Sequence, residues 1–447
     1  GTSKSFSYDV YGRLTVCKEN AVDGKWLQKE YTYADGNVNT IKYRTLSGVL
    51  ATENYIYSNG YLSEAKLNGT TTVFKLSKEN SFRQPTEVVT GRITRKYDFT
   101  AYGFPSGRSA NGQSVGLQNF SYVFDVTTSN LSSRKDMTRG LTEKFGYDNL
   151  NRLTSYADKV TQYDVKGNIT CKSDIGTFEY TFPQKPYAVS GMTLSGSDVP
   201  LVCNQKVTYA SFMRPISICY DNCTATFNYN GEYERVKMNL SRNGDNILTR
   251  YYLGNCYELD QTSYSSKEKL YLFGDYYNAA AVYVKDESSS GVYYILRDYL
   301  GSITHVVASD GTVVQELSYD AWGRLRNPVT QQVYQQGQEP ELFLGRGYTG
   351  HEHLVLFGLI NMNARLYDPV LGRLLSPDPY IQMPEMSQNF NRYTYAMNNP
   401  LKYNDPDGEF FLFTIFNAVT DFVGNIFNHG FNVSQYNWKR TVNSWKI

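Results

Sequence analysis

The chain has 447 residues and a formal net charge of +1, with 44 Lys and Arg set against 43 Asp and Glu. That balance leaves no basic stripe for a phosphate backbone, so nothing points to a nucleic-acid or anionic-membrane partner. Forty Tyr beside 23 Phe, four Trp and 35 Gly favour pleated strands with one wet face, joined by tight turns, over helices.

In chain order, a repeat appears at once. "YDVYGRLT" from Tyr8 returns as "YADGNV" from Tyr33, "YSNGYLSEAKL" from Tyr57 and "YDFTAYGFP" from Tyr97. It is clearest in "YDNLNRLTSY" from Tyr147, "YDVKGNIT" from Tyr163, "YNGEYERVKM" from Tyr229 and "YDAWGRLR" from Tyr319. Each unit predicts a strand ending in Tyr, a turn on Asp or Asn with Gly, and a second strand opening on Arg or Asn. Asp and Asn cap their own turn, and Gly takes a positive φ. A chain of this length would ordinarily hold about three domains, a prior that a repeat array overrides. The long excursions at 111–137 and 184–208 fit a continuous spiral sheet better than a propeller of equal blades. The opening "GTSKSFSYDVYGRLT" lies inside a repeat without a signal peptide, so the chain reads as a piece of a longer protein.

The six cysteines, Cys17, Cys171, Cys203, Cys219, Cys223 and Cys256, include no CxxC. This argues for buried thiols or an occasional disulfide, not a structural zinc. His351-Glu352-His353 puts two imidazoles on one strand face, but a third ligand at useful spacing is missing. No metal or other cofactor is expected, and no phosphate loop or nucleophile elbow occurs.

From Tyr251 the pattern tightens through "RDYLGSITHVVASDGTVV", with a hairpin turn at Asp310-Gly311. Four turn clusters then crowd 365–408: Asp368-Pro369 with Gly372, Asp378-Pro379, Asn399-Pro400, and Asp405-Pro406 with Gly408. "RLYDPVLGRLLSPDP" and "YTYAMNNPLKYNDPDG" resemble the core segment of Rhs/YD-repeat proteins, a family related to toxin-complex C subunits and teneurin YD shells. Asp298, Leu300, Gly301 and Ser302 resemble the D-x-L-G-S signature that opens this core.

The resemblance implies an all-β spiral of YD-repeat hairpins wound into a hollow shell and closed by an Rhs core plug. The expected division is 1–248 for the repeat spiral, 249–408 for the closing core and 409–447 for the start of a variable C-terminal region. Apolar residues at Phe411, Ile415, Val419, Phe422, Val423 and Ile426 predict a short amphipathic helix there. The interposed Asn417, Asp421 and Asn425 argue against a membrane span.

The same resemblance implies a bacterial secreted or cell-surface protein that encapsulates a C-terminal toxin module in cis for competition between bacteria. An immunity protein and a secretion-system component would be its further partners. The alternative is an adhesion protein whose Tyr-rich surface binds cell-surface carbohydrate. Family members also carry an aspartyl-protease-like site that cuts just after D-P-x-G-L. By that analogy the candidate catalytic residues are Asp378 and then Asp368, with Arg365, Arg373 or Arg392 holding one acid ionised. The cleavage region would be Gly408, Glu409 and Phe410. This chain has Glu409 where the family has Leu, and the plainer reading, which the sequence favours, is that both aspartates cap Asp-Pro turns.

Overall fold

The computed structural model describes residues 1–113, 115–196, 205–335 and 337–409, with the backbone of Leu412–Phe413. Its first eighteen strands, from Ser3–Tyr8 to Gly191–Leu194, form one sheet in which each strand pairs antiparallel with the next. A second sheet of eleven strands runs from Lys206–Tyr209 to Val313–Glu316 in the same manner. The remaining described elements are short strands and 3-10 turns. The architecture is all-β. Residues 111–137, expected as an excursion, instead hold two regular strands, Gly116–Phe124 and Leu131–Asp136; the turn between them spans six residues, with the Asp125 N–H on the Asn130 carbonyl. The strand Asp245–Leu253 runs unbroken through the boundary expected at 248/249. The expected C-terminal helix and Cys203 lie outside the described residues.

Two turn types underlie the repeat, and the sequence pattern blended them. "YADGNV" and "YSNGYL" are two-residue hairpins, with Asp35-Gly36 at φ 50° and 81° and Asn59-Gly60 at 52° and 80°. The other type is a five-residue turn found eleven times among the described residues, opening at Asp9, Asn80, Thr100, Asp148, Asp164, Ala210, Asn230, Asp298, Ala308, Asp320 and Gly347. In each, the first N–H donates to the fifth carbonyl and the fourth N–H to the first carbonyl. In "YDFTAYGFP" the turn therefore opens on Thr100, two residues later than the Asp98 that the motif suggests. Where the opener is Asp or Asn, its Oδ1 accepts the N–H groups of the third and fifth residues, as Asp9 does from Tyr11 and Arg13. Its second oxygen binds the fifth-position Arg in Asp9–Arg13, Asp148–Arg152 and Asp320–Arg324.

The tyrosine before or beside these turns closes the sheet. The ladder between one strand pair ends at Val16↔Glu30, and three residues beyond Glu30 the Tyr33 hydroxyl donates to the Leu14 carbonyl at 2.7 Å. The same offset recurs for Tyr57 on Val38, Tyr147 on Leu131, Tyr163 on Leu153, Tyr180 on Ile169, Tyr229 on Pro215 and Tyr319 on Ile303. In each case the ring spans a gap where the strands splay, and its hydroxyl satisfies a carbonyl that the ladder leaves behind. Arg13 and Arg152 stack over Tyr33 and Tyr163 at 4.5 Å, tying each turn to the following tyrosine.

The inner faces of the two sheets share one apolar cluster. It joins Leu27, Ile41, Tyr55 and Val73 to Leu253, Leu270, Tyr271 and Leu272. Residues 317–409 wedge against both. Trp322, Leu371 and Leu401 pack on Leu131, Leu153 and Ile169 of the first sheet. Phe357, Leu359 and Leu366 pack on Ile218, Ala225 and Met238 of the second. Seven buried charged groups reinforce the second contact. Glu352 meets Arg235 and Arg250 at 2.7 and 2.6 Å, Asp260 meets Arg250 and Lys269, and Glu258 meets Arg346 and Lys269. Among the described residues the cysteines are free thiols.

Gly12 and Gly323 occupy the same turn position, at φ 76° and 91°. A Cβ on Gly12 would meet open space, whereas one on Gly323 would lie 2.6 Å from the Tyr348 ring. Gly12→Ala should cost about 1 kcal/mol from backbone strain alone, and Gly323→Ala about 3 kcal/mol or more from strain plus overlap. The difference between their unfolding midpoints in denaturant measures the added cost.

Candidate functional site

Arg365 organises the densest polar site of the closing segment. A tight turn at Asn363, φ 67°, is closed by the Met362 N–H on the Arg365 carbonyl at 3.0 Å. It delivers Arg365 into the strand Leu366–Asp368 with only 3 % of the residue exposed. All three edges of the guanidinium are used. Nη1 lies 3.0 Å from Asp378 Oδ2 and Nη2 lies 2.9 Å from Asp405 Oδ2. Nε donates to the Gly408 carbonyl.

Each partner is fixed from a second side. Asp378 Oδ1 accepts the Tyr380 N–H at 2.8 Å, and the Asp378 N–H donates to the Arg392 carbonyl, whose own Nε returns to the Asp378 carbonyl. Asp405 Oδ1 accepts the Gly408 N–H at 2.8 Å, and its carbonyl accepts His351 Nε2 at 2.8 Å. Gly408 has φ +78°, and a Cβ there would lie 2.2 Å from the Met362 carbonyl oxygen. Only glycine lets the chain lie this close to the turn that carries Arg365.

Burial pushes the Asp405 carboxyl well above the usual carboxylate range, and Asp407 and Asp378 add to the push while Arg365 opposes it. Burial also raises Asp378, against Arg365 and a backbone hydrogen bond. One cation between two such acids favours retention of a single proton by the pair. A carbonyl held by a guanidinium, next to one acid that keeps its proton and one that can lose it, is what addition of water to an amide requires.

The pairing expected from sequence, Asp368 with Asp378, is not the one the fold makes. Asp368 caps its own turn through the Val370 and Leu371 N–H groups and lines a separate cavity with Arg324, His353 and Ile360. The ammonium of buried Lys172 sits on the neighbouring Pro369 and Val370 carbonyls. Arg373 is also engaged elsewhere, with Nη2 on Asn168 Oδ1 at 2.8 Å and on the Tyr187 carbonyl. Glu409 meets Arg214 at 3.0 Å; Phe410 lies outside the described residues. His351 and His353 are core residues whose imidazoles burial pushes down to about 3. Among the described residues no group of three or more metal-ligating side chains converges. The sequence reading missed Asp405 as a site residue, because Asp-Pro-x-Gly reads first as a turn; its one signal was its place three residues before Gly408.

With this geometry in hand, comparison with known proteins is specific. The family model described as Teneurin YD-shell matches residues 113–401. The chain belongs to the teneurin YD-shell family. This YD-shell is 26 % identical over 295 residues to the tRNA3(Ser)-specific nuclease WapA of Bacillus spizizenii, covering 64 % of the chain but 11 % of WapA. It is 32 % identical over 151 residues to salivary gland surface protein 1 of Aedes aegypti, covering 33 % of the chain and 4 % of that protein. It is 28 % identical over 160 residues to chicken (Gallus gallus) teneurin-1, covering 33 % of the chain and 6 % of that protein. Among solved structures, the TcdB2–TccC3–Cdc42 complex matches with a TM-score of 0.72 at 16 % identity, covering 93 % of this chain and 24 % of that one. TcdB2–TccC3 without its hypervariable C-terminal region matches at 0.71 and 16 % identity, covering 90 % and 23 %. The YD-shell thus spans a small part of each relative, and at such identity the solved structures speak for the fold.

Burial pushes Asp368 up to about 6, partly offset by its two backbone hydrogen bonds and by Lys172. Because the folded-state value lies above the unfolded one, folding binds the proton. The stability it contributes is complete below about pH 4 and is lost as pH rises through about 6. Asp368→Asn keeps the turn cap and should flatten that decline, making the variant more stable than wild type at pH 7 by about 1–3 kcal/mol. Unfolding free energy measured against pH checks both.

Proposed function

We propose that this YD-shell is the closing part of a secreted or cell-surface bacterial carrier that holds a C-terminal toxin module in cis. The observation that carries the reading is how the last turns are stitched to the repeats. Asn398 Nδ2 donates to the Gly167 carbonyl and Asn399 Nδ2 to the Asn151 carbonyl. Lys402 Nζ donates to the Thr128 carbonyl at 2.6 Å. Three separate repeat turns are thereby closed over by one segment, and the chain proceeds past Gly408 from a buried position. The nuclease named for WapA and the hypervariable C-terminal region of TccC3 support a variable cargo beyond this point. An immunity protein and a delivery apparatus are the partners such a cargo would require.

A second reading, favoured by the Arg365 geometry, is self-cleavage at the Gly408–Glu409 bond. Asp378, the less strongly raised acid, takes a proton from water as the oxygen attacks the Gly408 carbonyl carbon. Arg365 and protonated Asp405 stabilise the developing oxyanion, and as the adduct collapses and the C–N bond breaks Asp378 returns its proton to the departing Glu409 amine.

Intact mass of the full-length parent protein tests the second reading. The expected outcome is two fragments, one ending at Gly408 and one beginning at Glu409, with Asp378→Asn and Asp405→Asn each left as a single chain. An uncut wild type would overturn it. The carrier reading is tested by native size exclusion and limited proteolysis of the same protein. The C-terminal module should co-elute with the shell and resist protease until the shell unfolds. Digestion at the rate of the isolated module would sink that reading.

A further inference from the structure

Arg214 occupies the fifth position of a repeat turn, Ala210–Arg214, whose backbone bonds match those of the other ten among the described residues. In three sister turns the fifth-position arginine returns Nε to the acid that opens its own turn, Arg13 to Asp9, Arg152 to Asp148 and Arg324 to Asp320, at 2.6–2.7 Å. The turn at 210 opens on Ala, so Arg214 has no such acid. Its Nη2 binds Glu409 Oε1 at 3.0 Å instead, with the Arg214 side chain 17 % exposed.

Glu409 is held at three further points. Its N–H donates to Asp407 Oδ1 at 2.9 Å, its carbonyl accepts Gln382 Nε2 at 3.0 Å, and the carbonyl of the preceding Gly408 accepts Arg365 Nε. The arginine whose turn lacks its opening acid and the acid beside the candidate bond therefore meet. A guanidinium relieved of its local partner and only partly solvated prefers a carboxylate over an apolar side chain.

We propose that Arg214 is a positioning residue that selects an acidic side chain at 409 and latches the outgoing chain against the Asp378–Asp405 pair. Its catalytic consequence rests on the self-cleavage reading; the latch itself does not. The role differs from packing support because only the charge at 409 has to match the charge at 214.

A charge-swap cycle in the full-length protein tests this. Arg214→Glu and Glu409→Arg should each slow self-cleavage roughly tenfold or more, and the double swap should recover most of the rate. The second readout uses hydrogen exchange of the Glu409, Leu412 and Phe413 amides in an Asp378→Asn background, where no cleavage intervenes. Each single reversal should speed exchange there roughly tenfold, and the swap should restore protection. If exchange responds but wild type is never cut, the latch stands and the self-cleavage reading falls. Exchange unmoved by both single reversals overturns the latch whether or not the chain is cut. Variants that cleave alike but differ in exchange would overturn its catalytic role.

Discussion

The constraint on which the molecule depends is a backbone carbonyl left behind where a strand ladder ends short of its turn. Where neighbouring strands splay beside a turn, the carbonyl two residues outside the last pair has no ladder donor. A tyrosine three residues past the last pair on the next strand supplies one in seven places among the described residues. Phenylalanine would fill the same gap but leave the carbonyl unsatisfied, at a cost of about 1–3 kcal/mol where it is buried. This accounts for Tyr in place of Phe at these seven positions. It also occupies these hydroxyls with the protein's own backbone.

The closing segment extends the same economy of polar groups into the core. Trp322 and Tyr319 belong to a repeat, yet they form the floor on which the segment folds: the Tyr367 hydroxyl donates to the Trp322 carbonyl, and a Cβ on Gly372 would strike the Trp322 ring at 2.8 Å. Glu352 anchors one flank through Arg235 and Arg250, and its neighbour His351 reaches the Asp405 carbonyl. The site is thus tied covalently, through two adjacent residues, to the buried ion network of the second sheet. Such pairs add little net stability after desolvation, but breaking one strands a buried charge, so they hold register strongly.

Arg365 then concentrates this order at one point. A planar fork can serve three acceptors at once, which a lysine ammonium could not do with the same fixed angles. Two carboxyls on that fork, both raised by burial, become inequivalent because Asp405 is the more deeply buried and lies nearer a further acid, Asp407. The division of labour between acid and base follows from that asymmetry.

Much of the fold was legible from sequence because the information is local. Asp or Asn at the turn opener, a residue able to take positive φ at the fourth position and Tyr before the turn each act within a few residues. They specified an antiparallel, all-β repeat and the segment that closes it. Where the local signal weakened the reading slipped, as at Asp125, whose turn runs to six residues, and at "YDFTAYGFP", whose turn opens on Thr100. The site was legible only in part. Arg365, Asp378 and Gly408 stood out by motif, but Asp-Pro-x-Gly at 405 and Asp-Pro at 368 carry the same turn signal, and nothing local separates them. Tertiary structure made that choice, since burial against the 362–365 turn brings Asp405 to Arg365 while Asp368 caps its own turn beside Lys172 and lines another cavity. It also joined Arg214 to Glu409 across 195 residues, because a charge without a local partner is satisfied only by what the fold brings to it.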